Sequence, residues 1–251
     1  MAQQLETSTK PHIIYPDSDG QPMADNTKQF NWIVRIKENL ELLFASNPKV
    51  FVAGDLLWYP VQGNNTLRRA PDAMVVFGRP KGDRGSYKQW EEDNTAPQVV
   101  FEILSPGNTL KEMAAKLEFY EQYGVEEYYV YDPDEVDFSG WLRSENRLRV
   151  IDAIAGWVSP LLGVRFEIEN ELQIFTPSGE PFLTYVEIAQ RAEQEKQRAE
   201  QEKQRAEQEK QRAEQEKQRA EQEKQRADTA QARIQALEAR LRELGVTPED
   251  I

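Results

Sequence analysis

From Arg191 to Gln225 the heptad RAEQEKQ repeats five times without a change. No globular core can absorb such a stretch, because alanine is its largest apolar residue. Ala, Glu, Gln, Lys and Arg are all strong helix formers, so the predicted structure is one long helix over 184–245. Thr184 and Glu187 fit a capping box at its start. Glu193–Lys196 and Glu195–Arg198 at i,i+3, with Arg191–Glu195 and Lys196–Glu200 at i,i+4, each add a few tenths of a kcal/mol. Gly245 is placed to end the helix and Pro248 to keep it from restarting. At 1.5 Å per residue, 185–244 spans roughly 90 Å.

The seam of that helix decides whether it pairs. With the repeated alanine at position a, the register runs from Ala192 to Ala227 and on to Ile234 and Leu241. Position d holds Glu195, Glu202, Glu209, Glu216 and Glu223, then Ala230, Leu237 and Leu244. A coiled coil needs apolar residues at both positions. Only the final two heptads qualify, and they predict self-association into a homo-oligomer. The middle reads as weakly paired or as a solvated spacer.

Charge separates the tail from the rest. The tail from 185 onward holds 14 of the 31 basic and 16 of the 44 acidic residues, leaving 17 basic against 28 acidic, a net charge of −11, for residues 1–184. That is not the broad basic footprint usual in DNA-binding domains. There is no cysteine, which excludes disulfides, zinc–thiolate sites and cysteine nucleophiles. The single histidine, His12, stands in a polar arm, so histidine triads and histidine–metal sites are excluded too. No run approaches the roughly 20 apolar residues that cross a bilayer, and the first residues do not pattern as a signal peptide. A cytoplasmic protein without membrane attachment is expected.

The predicted organisation is a flexible arm (1–25), an α/β domain (26–183), the long helix (184–245) and a short end (246–251). In the domain, apolar spacing predicts a helix over Thr27–Ala45 and strands at Val50–Ala53, Leu56–Tyr59, Ala73–Phe77 and Val99–Leu104. A polar loop from Gly78 to Pro97 precedes the last of these, and loops this long are often functional. A helix over Thr109–Tyr123 follows, ended by Gly124, then strands at Glu127–Tyr131, Gly140–Arg143, Leu148–Ile154, Val164–Ile168 and Leu172–Phe175.

Within this pattern Glu102 sits in the apolar run Val99-Val100-Phe101-Glu102-Ile103-Leu104. A buried carboxylate without a partner costs several kcal/mol, so it needs a reason. A hard divalent cation is one, and Pro71-Asp72, entering the strand Ala73–Phe77, offers a second acid. Lys116 and Glu112 share a face of the following helix. Taken singly, each has a plainer reading. Pro-Asp opens turns, an arginine such as Arg68, Arg69 or Arg79 could satisfy Glu102, and Lys116 could pair with Glu112 in solvent. Trp32, Trp58, Trp141 and Trp157 read as core, while Tyr87 and Trp90 in the polar loop are candidates for stacking on a nucleic-acid base.

The order and spacing of these pieces resemble a known family. Pro71-Asp72 entering a Val-rich strand, Phe101-Glu102-Ile103-Leu104-Ser105-Pro106, the helix with Lys116 and Tyr120, and Tyr123-Gly124-Val125-Glu126-Glu127-Tyr128-Tyr129-Val130-Tyr131-Asp132-Pro133 are similar to the Uma2-type (DUF820) restriction-endonuclease family. That family lies in the PD-(D/E)xK nuclease superfamily, and the resemblance covers about Thr27 to Phe182. It implies a restriction-endonuclease-like mixed sheet flanked by helices. It also implies metal-dependent hydrolysis of DNA, with Asp72, Glu102 and Lys116 catalytic. Asp72, Glu102 and the carbonyl of Ile103 would hold Mg²⁺ or Mn²⁺, with Glu112 in support. Arg68, Arg69, Arg79, Lys81, Arg84 and Lys88 would contact DNA phosphates. The superfamily lysine two residues after the second acid is replaced here by Leu104, and Lys116 on the next helix stands in for it. The alternative is a degenerate nuclease fold retained as an oligomeric interaction module that works through its tail.

Overall fold

The computed structural model describes residues 13–20 and 22–243. The chain divides into two units, Met1–Ile188 and Ala189–Ile251.

The first helix, α1 (Thr27–Leu43), starts at Asn26, whose side chain accepts from the Gln29 amide at 2.9 Å. Trp32, Ile33, Ile36 and Leu40 recur at helical spacing and are buried. Strands β1 (Val50–Ala53), β2 (Trp58–Tyr59), β3 (Ala73–Phe77), β4 (Tyr87–Lys88) and β5 (Val99–Ile103) follow. Helix α2 (Leu110–Gln122) then leads to β6 (Glu127–Asp132), β7 (Asp137–Ser144), β8 (Arg147–Val150), β9 (Arg165–Ile168) and β10 (Leu172–Phe175). The main sheet has the order β1-β3-β5-β6-β7-β8. Within this sheet, among the described residues, only β5 and β6 pair in parallel, and α2 is their crossover. The fold is therefore the mixed α/β arrangement read from the sequence.

Alternation along the central strands divides the core into two layers. Val99, Phe101, Ile103, Tyr129 and Tyr131 pack with Trp32, Ile33, Ile36 and Leu40 of α1. Met74, Val76, Val100 and Tyr128 pack with Phe119 and Tyr120 of α2. Period-two alternation puts Asp72 and Glu102 on the α2 side. Glu127, equally buried, faces the other way. It is satisfied by the Ser159 hydroxyl, the Leu161 amide at 2.8 Å and the Tyr129 hydroxyl at 3.0 Å, and it anchors the chain between β8 and β9.

The expected strand Leu56–Tyr59 is shortened to β2. The polar loop conceals β4, which pairs in parallel with β2, and a turn of 3₁₀ helix at Gln89–Glu91. A two-residue strand with a lysine at its end carries no periodic signal. Part of the expected flexible arm lies against the body: Asn65 Nδ2 donates to the Ile14 carbonyl at 2.8 Å and the Tyr59 hydroxyl to the Pro16 carbonyl at 2.7 Å. His12 is outside the described residues.

The third helix, α3 (Tyr185–Glu243), has no buried residue and is exposed throughout except at the half-buried Ile188. The Thr184 amide donates to Glu187 at 2.8 Å and the Glu187 amide to the Thr184 hydroxyl at 3.3 Å, forming the expected capping box. Leu244, Gly245 and Pro248 lie outside the described residues. No helix among the described residues is long and apolar enough to cross a membrane.

Candidate active site

Three adjacent strands bring acids to one end of the sheet. Asp55 follows β1, Asp72 precedes β3 and Glu102 lies near the end of β5. The β1 turn is pressed onto the β3 entry: the Asp55 amide donates to the Pro71 carbonyl at 3.0 Å. A Cβ at Gly54 would stand only 3.2 Å from the Asp72 carbonyl oxygen, so glycine permits this approach. Asp55 itself has φ of 48°, left-handed backbone that Asp tolerates better than most residues.

Glu102 is 1% exposed and fully engaged. Lys116 Nζ donates to its Oε2 at 2.8 Å, and the Tyr120 hydroxyl donates to its Oε1. Both donors come from α2, one helical turn apart, so a single helix face supplies them. Glu112, one turn earlier, stands 3.9 Å from Lys116. Burial works against the Lys116 ammonium, but its pairing with Glu102, aided by Asp72 and Glu112, outweighs that and raises its pKa above the usual 10.5. Lys116 is thus a fixed positive charge and not a base.

Asp72 Oδ2 accepts the Ile103 amide at 2.6 Å. Burial and then the nearby Glu102 carboxylate raise its pKa well above the usual value. The Ile103 amide and Lys116 pull the other way without cancelling this. Asp55 is raised as well, by burial, then Asp19, then Glu102. Asp72 and Lys116 line a cleft of about 440 Å³ together with Asp55, Glu112, Arg68 and Arg69, and Glu102 lies buried behind Lys116.

The side chains of Asp72 and Glu102 offer only carboxylate oxygens, which suits a hard cation. Among the described residues no group of three or more acids or histidines could jointly hold a metal. The mutual repulsion of Asp72 and Glu102 is what a divalent cation would relieve. The Ile103 carbonyl, expected as a further ligand, accepts Gln29 Nε2 at 2.8 Å.

The basic stretch splits. Arg79 donates to Glu92 at 2.9 Å and also to Asp93, and Arg84 donates to Glu92 at 2.6 Å while lying over the Phe51 ring. Burial notwithstanding, these two arginines hold the Glu92 carboxyl below its usual pKa. Lys81 pairs with Glu41 at 2.9 Å, and Lys88 lies 3.7 Å from Glu91. Only Arg68 and Arg69 reach the cleft. Sequence reasoning missed Tyr120 as Glu102's second donor, Gln29 on α1 and the acid Asp55. It also missed Tyr128, whose buried hydroxyl has no hydrogen-bond partner and whose titration is pushed up by burial and then by Glu102 and Asp72.

The family model described as "Uma2: Putative restriction endonuclease" matches residues 2–173. No curated protein matches the chain. Among solved structures, that of "a putative nuclease belonging to DUF820 from Anabaena variabilis ATCC 29413" is 14% identical. The match covers 52% of this chain and 70% of that one, with a TM-score of 0.38. Asp72, Glu102 and Lys116 all fall inside the residues matched by the family model, and the chain belongs to the Uma2 family.

Proposed function

We propose that the chain is a metal-dependent DNA endonuclease whose site is the cleft of Asp72, Glu102 and Lys116. The observation that carries this reading is a pair of carboxylates from β3 and β5 on the α2 side of the sheet, with a permanently charged lysine bonded to one of them. Asp72 and Glu102 would hold Mg²⁺ or Mn²⁺. The Ile103 carbonyl would join them only by sharing or releasing its Gln29 bond. The cation would supply Lewis-acid polarisation of the scissile phosphate.

The chain's own residues do the rest. Tyr120 fixes the rotamer of Glu102 through Oε1. Lys116 offers an ammonium to phosphate oxygens as negative charge builds on them. Glu112 keeps that ammonium oriented from the solvent side. Arg68 and Arg69 anchor the neighbouring phosphates, a positioning role without sequence readout. A cytoplasmic setting and a homo-oligomer held by the end of α3 go with this reading.

One observation favours a second reading, an inert fold serving as an interaction module. Both oxygens of Glu102 already have protein donors, and Leu104 stands where the superfamily lysine would be. The deciding experiment is supercoiled-plasmid cleavage in Mg²⁺ and in Mn²⁺, beside Glu102→Gln. The expected result is nicking by the wild type and loss of on the order of 10³-fold in the variant, the scale of removing a key electrostatic element. Equal activity of the two proteins, or none in the wild type with either metal, would leave the second reading in place.

A further inference from the structure

The described part of the arm does not lie on the domain at random: its side chains form an ordered row. Tyr15 is wedged between two aromatic residues, edge-on to Tyr59 with centroids 5.2 Å apart and tilted against Trp90 at 4.9 Å. Its hydroxyl accepts the Gly63 amide at 2.6 Å. Next, the Asp17 carboxylate accepts from the Ser86 hydroxyl at 3.3 Å. It lies so close to Gly85 that a Cβ there would come within 2.5 Å of it. Asp19 then lines the cleft beside Arg68, Arg69 and Asp72.

An aromatic ring followed by anions leading to a phosphodiester-cleaving centre has the chemistry of a nucleic-acid strand. We propose that residues 14–19 occupy the path of a single DNA strand and are displaced by it: a base replaces Tyr15 between Tyr59 and Trp90, and phosphates replace the carboxylates of Asp17 and Asp19. The inference rests on the reading of the cleft as a DNA-cleaving site.

The ring and carboxylate contacts of the arm have counterparts in a nucleotide. Two rings hold a third in a slot here, one edge-on and one tilted, and a base offers both a ring edge and a π-face to such a pair. The Gly63 amide can donate to a base acceptor as it does to the phenol oxygen. Gly85 opens the backbone to a phosphate, and Arg68, with its guanidinium 6.0 Å from the Tyr59 ring centroid, stands between the slot and the cleft. The slot has room for one ring. A base paired in a duplex would have to be unstacked and turned out to enter it, at a cost of a few kcal/mol. Single-stranded or frayed DNA is therefore the substrate class that fits.

The test is fluorescence anisotropy of a labelled single strand roughly 12 nucleotides long, and of a hairpin duplex, in EDTA. The full chain is used as wild type, Tyr15→Ala, Tyr15→Ala with Trp90→Ala, and Asp17→Asn with Asp19→Asn. Removing the competing ring should tighten single-strand binding about five- to tenfold, the scale of an aromatic contact. The charge-neutralised variant, which leaves the ring in place, should tighten it as well. The added Trp90→Ala should abolish the gain, and duplex affinity should not change. An unchanged Kd in both Tyr15→Ala and the neutralised variant would overturn the proposal. So would a gain that survives loss of Trp90, or an equal gain for the duplex. Binding in EDTA requires no catalysis, so a chain that cuts nothing yet shows this pattern loses the endonuclease reading alone.

Discussion

At the scale of single residues, the site stores an unfavourable charge. Asp72 has a folded-state pKa well above its ordinary 3.8, through burial and then Glu102. Between those two values the fold keeps a proton that the unfolded chain has lost. The stability this group contributes is fully present below the unfolded value and is lost as pH rises through the folded one. Lys116 titrates above 10.5 and does not change across this window. Asp72→Asn keeps an acceptor for the Ile103 amide but removes the charge. In EDTA at about pH 7 it should stabilise the fold by about 1–2 kcal/mol, raising Tm by several degrees, and near pH 4 the gain should shrink towards zero. Mg²⁺ should raise the wild-type Tm and leave the variant's unchanged. Thermal melts over pH and metal check both; a flat difference between the proteins would remove the charge argument. Tyr120→Phe strips Glu102 Oε1 of its donor and should cost about 1–3 kcal/mol, lowering kcat more than it raises KM. The logic that a buried acid needs a reason found Glu102 in the sequence, yet it passed over Glu127, equally buried but preceded by the acid Glu126. What separates them is the donors each meets, a hydroxyl and an amide from a distant loop for one and α2 for the other, and those depend on tertiary structure.

At the scale of elements, the placement of α2 sets the chemistry. Lys116 and Tyr120 reach Glu102 only if the helix keeps its register over the sheet, and Arg143 of β7 holds its C-terminal end. The guanidinium donates to the carbonyls of Glu121 and Val125 at 2.7 Å each and to that of Tyr120 at 3.3 Å. The Glu121 carbonyl belongs to the last turn of α2, the Tyr120 carbonyl also accepts the Val125 amide at 3.0 Å, and a cation there meets the negative end of the helix dipole. Arg143→Ala should therefore destabilise the domain by about 2–3 kcal/mol, as expected for charge-assisted bonds, and lower cleavage although it lies outside the cleft. Chemical denaturation and a cleavage assay measure the two; unchanged activity in a destabilised variant would show that α2 holds its register without it. The helices and the strands β1, β3, β5 and β6 were legible from periodicity, whereas β7 was expected only over Gly140–Arg143 and Thr109 caps α2 where it was expected inside the helix. The role of Arg143 was not legible, because its partners lie in carbonyls that no sequence pattern marks. The pairing of Arg79 and Arg84 did have a signal, since Glu91, Glu92 and Asp93 follow in the same polar loop. Reading the basic stretch as free for DNA overlooked those neighbouring acids.

At the scale of the whole molecule, the acidic domain and the repetitive helix raise the question of assembly. Along α3 the side chains of Ile234, Leu237 and Leu241 are 56%, 57% and 38% exposed, and they recur at positions a and d of an unbroken register. Upstream, glutamate fills every repeat d position, and like charges facing each other across a seam weaken pairing. If helices associate, the end of the tail is where the energy lies, and the number of heptads before it sets reach and not affinity. Truncation after Gln225 should then lower the mass in analytical ultracentrifugation. Deletion of two internal RAEQEKQ heptads, which keeps the register and shortens the helix by roughly 21 Å, should leave the mass unchanged. An endonuclease that cuts both strands by pairing two sites would lose double-strand cleavage in the first variant and keep nicking. Equal masses for the truncated and full chains would assign any oligomer to the domain and leave α3 as a charged spacer.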